Sequence, residues 1–217
     1  MSGDLKRQAA LAALQEIRDG MVVGLGSGST ASIFIRELGK AGLKITAIPT
    51  SDESHRIAEE VGILVTTFKT HPQIDVTVDG ADEVSPNLDL IKGLGGALVR
   101  EKIVAHASRR LVIIVDESKL VERFGARTPI PVEVIPLAVP RVLLQLNDAV
   151  VREKGGQPFV SDNGNLILDW KHGAVENPAA LEKQLKSMTG VVDSGIFAGV
   201  ASVVIVAGSG GIRRLNR

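Results

Sequence analysis

Residues 111–115 read Leu-Val-Ile-Ile-Val, five apolar residues of high strand propensity with no polar interruption. A strand with one face in water alternates apolar and polar residues, whereas an uninterrupted run is covered on both faces. Residues 21–25 and 203–207 have the same character. Helical spacing lies between such runs. Leu5, Ala9, Ala12 and Ala13 share one helical face ahead of the first run. Residues 31–38, 54–61 and 97–107 also read as helices, with Ser51 or Asp52 as N-cap of the second. Strand-like segments 45–48, 64–68 and 74–78 separate them. Apolar strands alternating with helices predict an α/β fold with a Rossmann-like, mostly parallel sheet.

The pattern changes near residue 126. Pro129, Pro131, Pro136 and Pro140 crowd around strand-like residues 132–135, and residues 141–152 read as a helix closed by Gly155-Gly156. Residues 159–160 and 166–170, joined by Asp162-Asn163-Gly164-Asn165, read as a hairpin. Asn177-Pro178 opens a helix to about Met188, and residues 191–197 are strand-like. The order β-α-β-β-α-β is ferredoxin-like. The expectation is a Rossmann-like catalytic domain from residues 1–126 and 200–217, and a smaller ferredoxin-like α+β domain over 127–199.

Composition narrows the chemistry. Cysteine is absent, which excludes disulfides, thiolate nucleophiles and cysteine-bound zinc. Four scattered histidines with no H-x-x-x-H pair give no reason to expect a metal. The 25 basic and 25 acidic residues balance, and aromatic content is 3%, so neither a phosphate-backbone face nor a base-stacking platform is expected. The polar first ten residues do not read as a signal peptide, and no apolar run approaches about 20 residues. The expected setting is the cytoplasm, with no membrane or nucleic-acid partner.

Three segments carry charge beside glycine. Gly24-Leu25-Gly26-Ser27-Gly28-Ser29-Thr30 leads from a strand into a helix, where backbone N–H groups and hydroxyls bind anions; the alternative is a tight turn with an ordinary N-cap. Gly26-x-Gly28-x-x-Ala31 also fits the permissive dinucleotide fingerprint, but the second strand ends in Pro49-Thr50-Ser51, without the ribose-binding acid. Asp79-Gly80-Ala81-Asp82-Glu83 follows a strand, where ligands bind in open α/β sheets; an Asx turn is the structural alternative, and Glu83 reads as a solvated or structural acid. Lys92-Gly93-Leu94-Gly95-Gly96 offers N–H groups to an oxyanion and feeds the helix bearing Glu101. The helix neighbours of Glu101 are Ala97, Leu98, Val104 and Ala105, surroundings that favour proton uptake. Spacing alone allows an Arg100–Glu101–Lys102 ion-pair role equally well. Lys119 and Lys6 read, by themselves, as surface lysines.

Taken in order, these segments resemble the type A ribose-5-phosphate isomerase family over essentially the whole chain. Residues 24–31 look like its phosphate-side loop, and Asp79-Gly80-Ala81-Asp82-Glu83 like its DGADE motif. Lys92-Gly93-x-Gly95 with Arg100-Glu101-Lys102 is similar to its KGGGAA…REK motif. Pro131-Val132-Glu133-Val134-Ile135-Pro136 and Asp162-Asn163-Gly164-Asn165 match its small-domain signatures. Leu94 stands where a third glycine is usual, and Ser27 where Thr is common. The resemblance implies reversible conversion of D-ribose 5-phosphate and D-ribulose 5-phosphate without a cofactor, in a homodimer or homotetramer. It implies Glu101 as the base, with a cis-enediolate intermediate. Asp79 would assist ring opening, and Asp82 and Lys92 would orient the sugar and stabilise charge with the N–H groups of Gly93 and Gly95. Ser27, Gly28, Ser29, Thr30, Lys119 and Lys6 would hold the phosphate end, with Gly80, Ala81 and Leu94 also against the substrate. A sugar-phosphate sensor, an amino-sugar phosphate deaminase and an NAD-dependent oxidoreductase are the competing expectations.

Overall fold

The apolar runs become the middle of a seven-stranded sheet in the computed structural model, which describes residues 2–217. Its strands are β1 (Val22–Leu25), β2 (Thr46–Pro49), β3 (Leu64–Val65), β4 (Val76–Asp79), β7 (Leu111–Asp116), β15 (Val203–Gly208) and β16 (Gly211–Asn216). They lie in the order β16-β15-β7-β4-β1-β2-β3, and every pairing is parallel except that of β16 with β15. From β1 the chain steps outward through β2 and β3 on one side, then through β4, β7 and β15 on the other. The junction of β1 and β4 is therefore the topological switch point, where open α/β sheets bind ligands. All residues of β4, β7 and β15 are buried; β7 and β15 accordingly do not alternate, whereas β4, Val-Thr-Val-Asp, buries its polar residues as well.

Helices α1 (Ser2–Ala13), α2 (Ser29–Ala41) and α3 (Asp52–Glu60) bury Ala9, Ala13, Phe34, Ile35, Leu38 and Ile57 in one core with Val23, Leu25, Val78, Val112 and Ile114. Ser51 is the cap of α3: its Oγ accepts the Ser54 N–H at 3.1 Å, and Ser54 Oγ accepts the Ser51 N–H at 3.0 Å. A further helix, α4, spans Leu98–His106. Sequence periodicity missed β16, because an edge strand reading Ile-Arg-Arg-Leu-Asn has the charges that keep edges from aggregating. It also drew β3 too long, since only Leu64 and Val65 pair with β2.

Glu16 ties this unit together after α1. Its carboxylate accepts from Arg214 of β16 at 2.5 Å and pairs with Arg110 at 2.9 Å. Burial alone would raise its pKa, but the guanidiniums of Arg214 and Arg110 outweigh it and hold the carboxyl below its usual value. A depressed carboxylate pKa stabilises the fold above the unfolded value and loses that contribution as pH falls through the folded one. Glu16→Gln should thus cost about 1 kcal/mol at neutral pH, and progressively less as pH falls through the lowered folded-state value, until Glu16 is protonated in both states. Urea unfolding of both proteins at pH 7 and in acid checks this; the same difference at both would contradict it.

The chain divides into two compact units. The one just described takes residues up to Ala81, Arg100–Lys119 and Val200–Arg217; the other takes Asp82–Val99 and Leu120–Gly199. The second unit is built on an antiparallel sheet of β8 (Ile130–Val134), β9 (Ala149–Val151), β12 (Leu166–Trp170) and β13 (Val191–Ser194), in the order β13-β8-β12-β9. Helices α5 (Val139–Leu143) and α6 (Pro178–Lys186) follow its first and third strands, giving the ferredoxin-like arrangement. Asn177 caps α6 by accepting the Ala180 N–H at 3.0 Å. The core joins Ile130, Val132, Val134, Val142, Leu168, Leu181 and Leu185.

The helix expected over 141–152 is not formed. Helical backbone ends at Leu143, Asp148 adopts φ 62°, and Ala149-Val150-Val151 pair with β12. β-branched residues offered a partner strand override a short helical spacing. Gly155-Gly156 instead turns the small hairpin of β10 (Glu153–Lys154) and β11 (Gln157–Pro158). Around 162–165, the expected hairpin is reduced to the single bridge Val160–Leu166. Run 191–197 breaks at Gly195, and its second part, β14 (Ile196–Phe197), joins a small sheet with β5 (Glu83–Val84) and β6 (Leu90–Ile91). Among the described residues no helix is long and apolar enough to cross a membrane.

Candidate active site

In the first unit, β1 and β4 end side by side because two glycines let them. A Cβ on Gly24 would overlap the Thr77 hydroxyl and lie 2.8 Å from Thr77 Cβ. A Cβ on Gly26 would collide with the Asp79 carboxylate and lie 2.6 Å from Asp79 Cα. The Gly26 N–H donates to Val78 O at 3.0 Å. Asp79 is 1% exposed, and its Oδ1 accepts both the Gly80 N–H at 2.7 Å and the Ser27 N–H at 3.1 Å. The Gly80 contact falls one residue on, not the two that define an Asx turn, and the same oxygen clamps the loop after β1.

Gly28, at φ 88°, turns that loop into α2. Gly28 and Ser29 are exposed, and Ser27 and Thr30 are half-buried. Lys6 of α1 donates its Nζ to Ser29 Oγ at 2.9 Å, which puts a cation at the first residue of α2. Ser27 Oγ shares a hydrogen bond of 2.7 Å with Thr50 Oγ1, and buried Thr50 was not singled out by sequence. Lys119, half-buried, ends a 3-10 turn after β7, at the same carboxyl edge of the sheet. Gly80 and Ala81 are half-buried. Glu101 lies in the first turns of α4 at 4% exposure. Next to it Arg100 hydrogen-bonds Asp52 of α3 at 2.6 Å.

In the second unit, Asp82 Oδ2 accepts the Leu94 N–H at 3.0 Å. Lys92 is 2% exposed, with Nζ 5.6 Å from the centre of the Phe197 ring, within cation–π reach. Its N–H donates to Gly195 O at 2.9 Å, and a Cβ on Gly195 would overlap the Lys92 carbonyl. The signal for Gly195 was a glycine inside a strand-like segment, which marks a bulge or close backbone approach. Gly93 and Gly96 take φ of 97° and 91°, and a Cβ on Gly96 would strike the Phe159 ring. Leu94 needs no such conformation: its side chain is 39% exposed while its N–H turns to Asp82. The missing third glycine thus leaves the turn unstrained. Gly95 is exposed, with open space where a Cβ would be. Glu83 is not solvated; it is buried and accepts the N–H groups of Gly125, Arg127 and Thr128 at 2.7, 3.0 and 2.6 Å, a structural acid.

Residues 46–211 match the family model of ribose 5-phosphate isomerase A (phosphoriboisomerase A). A ribose-5-phosphate isomerase A of Gloeobacter violaceus is 50% identical, with 98% of this chain and 96% of the relative covered. That of Methanothermobacter thermautotrophicus is 49% identical, covering 98% of each. Among solved structures, a D-ribose-5-phosphate isomerase in complex with phospho-erythronic acid superposes with a TM-score of 0.97 over the whole of both chains, at 38% identity. The ribose 5-phosphate isomerase A of Methanocaldococcus jannaschii gives 0.94 over 99% of both, at 40% identity.

Proposed function

The chain belongs to the ribose 5-phosphate isomerase A family and is an isomerase, and from that premise we propose that it interconverts D-ribose 5-phosphate and D-ribulose 5-phosphate through a cis-enediolate. Glu101 removes the proton from C2 of the open aldose, and negative charge develops on O1. The N–H groups of the glycine turn, with Lys92, stabilise that charge, and Asp82 orients the sugar. The proton returns to C1, and the proton on O2 passes to O1, so that the aldehyde becomes an alcohol and C2 the ketone. Asp79 assists ring opening beforehand.

Ser29, Thr30, Lys6 and Lys119 grip the phosphate, with the N-terminal amides of α2. Binding the remote phosphate supplies energy that positions the reacting carbons. The observation that carries the proposal is the switch point, where Asp79 Oδ1 meets the Ser27 N–H at 3.1 Å. A carboxylate fit for sugar hydroxyls and a loop fit for phosphate are thereby held to one another. The same reading places the enzyme in the cytoplasmic non-oxidative pentose phosphate pathway, as a homodimer or homotetramer needing no metal or organic cofactor.

Incubation with ribose 5-phosphate in D2O, without added cofactor, tests this. Ribulose 5-phosphate carrying solvent deuterium at C1 is expected. Ketose without deuterium would mean a hydride shift and overturn the proton transfer. No ketose at all would overturn the substrate.

A further inference from the structure

Arg152 sits between β9 and β10, 58 residues beyond Leu94, with its side chain 10% exposed. Its Nε donates to Asp169 Oδ2 at 2.9 Å and its Nη2 to Asp169 Oδ1, a side-on fork that fixes the guanidinium plane. The remaining nitrogen, Nη1, donates to the carbonyls of Gly93 at 2.8 Å and Leu94 at 3.0 Å. All these residues belong to the second unit.

A trans peptide points its N–H opposite to its C=O. The peptide between Gly93 and Leu94 is therefore held on both edges, its oxygen by Arg152 and its N–H by Asp82 Oδ2. The next peptide has its oxygen on the same guanidinium, so the Gly95 N–H must point away from Arg152, as the Leu94 N–H does. A glycine-rich turn is costly to order, and its donors help catalysis only when they do not reorganise during reaction. Gly95 and Leu94 are exposed, so side-chain packing does little to order them. The guanidinium supplies the order instead, and its charge on two carbonyls strengthens the paired N–H groups as donors.

We propose that Arg152, itself held by Asp169, is a positioning residue for the isomerisation. It locks the glycine turn so that the Gly95 N–H meets the negative charge developing on the sugar oxygen, while the Asp82 carboxylate, fixed by the Leu94 N–H, orients the sugar. The inference rests on the isomerase reading above. Lysine cannot substitute, since an ammonium lacks the planar fork that binds Asp169 and two carbonyls together.

The test compares R152K and D169N with the wild-type chain, by kcat and KM for ribose 5-phosphate and by inhibition with inorganic phosphate. Each variant should lose about 10- to 100-fold in kcat. KM and the phosphate inhibition constant should stay within about threefold, because the phosphate-binding groups lie in the first unit. A folded R152K with wild-type kcat overturns the proposal. So does a loss spread equally over KM and phosphate inhibition, the result of general damage. Should R152K fail to fold, D169N gives the same reading, since it loosens the fork and keeps the arginine. A wild-type chain inactive on ribose 5-phosphate would instead sink the isomerase reading. Active wild type with unimpaired variants sinks only the role of Arg152.

Discussion

Glu101→Gln should lower kcat by about 10²–10⁴-fold, the contribution of a positioned general base, while KM for ribose 5-phosphate stays near the wild-type value. Glutamine keeps the length and shape of the side chain but cannot carry a proton between C2 and C1. Glu101 is 4% exposed and its helix neighbours Val104 and Ala105 are buried, so the replacement is nearly isosteric in a fixed place. The adjacent Arg100 gives its guanidinium to Asp52 at 2.6 Å. The groups proposed to bind phosphate lie on other elements, so ground-state binding should persist. A steady-state ketose assay, with solvent deuterium exchange, reads both quantities. Near-normal turnover, or a raised KM at unchanged kcat, would remove Glu101 from the proton path.

The fold was legible where burial is two-sided. Strands β7 and β15 have continuous apolar runs because they are buried throughout, flanked by the helical spacing expected of an α/β sheet, whereas β4, Val-Thr-Val-Asp, is buried throughout without being apolar throughout. It was not legible where strands are two residues long, as in β5 and β6, or where an edge carries arginines, as in β16. Residues 141–152 were misread because a short apolar spacing fits a helix until β12 offers a pairing. The site divides in the same way. Acids and glycines at strand ends are local patterns, so Asp79, Asp82 and Lys92 stand out as candidates in the sequence, whereas spacing leaves Glu101 even with an ion-pair role and only the family resemblance favours it. The contacts that fix them are long-range. Thr50 reaches Ser27 across 23 residues, Arg152 reaches Gly93 across 59, and Gly195 receives the Lys92 N–H. No local pattern reports these, and Val-Arg-Glu-Lys around Arg152 resembles any surface turn.

Gly26→Ala should be costly, by about 1–3 kcal/mol of stability and at least ~10²-fold in kcat. The sequence presents Gly26 as part of an anion loop, open for a phosphate. Its free side is instead filled by Asp79. A methyl there overlaps the carboxylate, which can rotate aside, but it also lies 2.6 Å from Asp79 Cα, which cannot. β4 is buried throughout and paired on both edges, with β1 and β7, so the strand will not yield. The loop must move, breaking the Gly26–Val78 and Ser27–Asp79 hydrogen bonds of 3.0 and 3.1 Å. Asp79 is then displaced from the loop proposed to grip phosphate, and both proposed functions of the switch point should fail together. Denaturant unfolding and steady-state kinetics on Gly26→Ala measure the two effects separately. Wild-type kcat in a folded variant would mean that the register of Asp79 against this loop does not matter to the reaction.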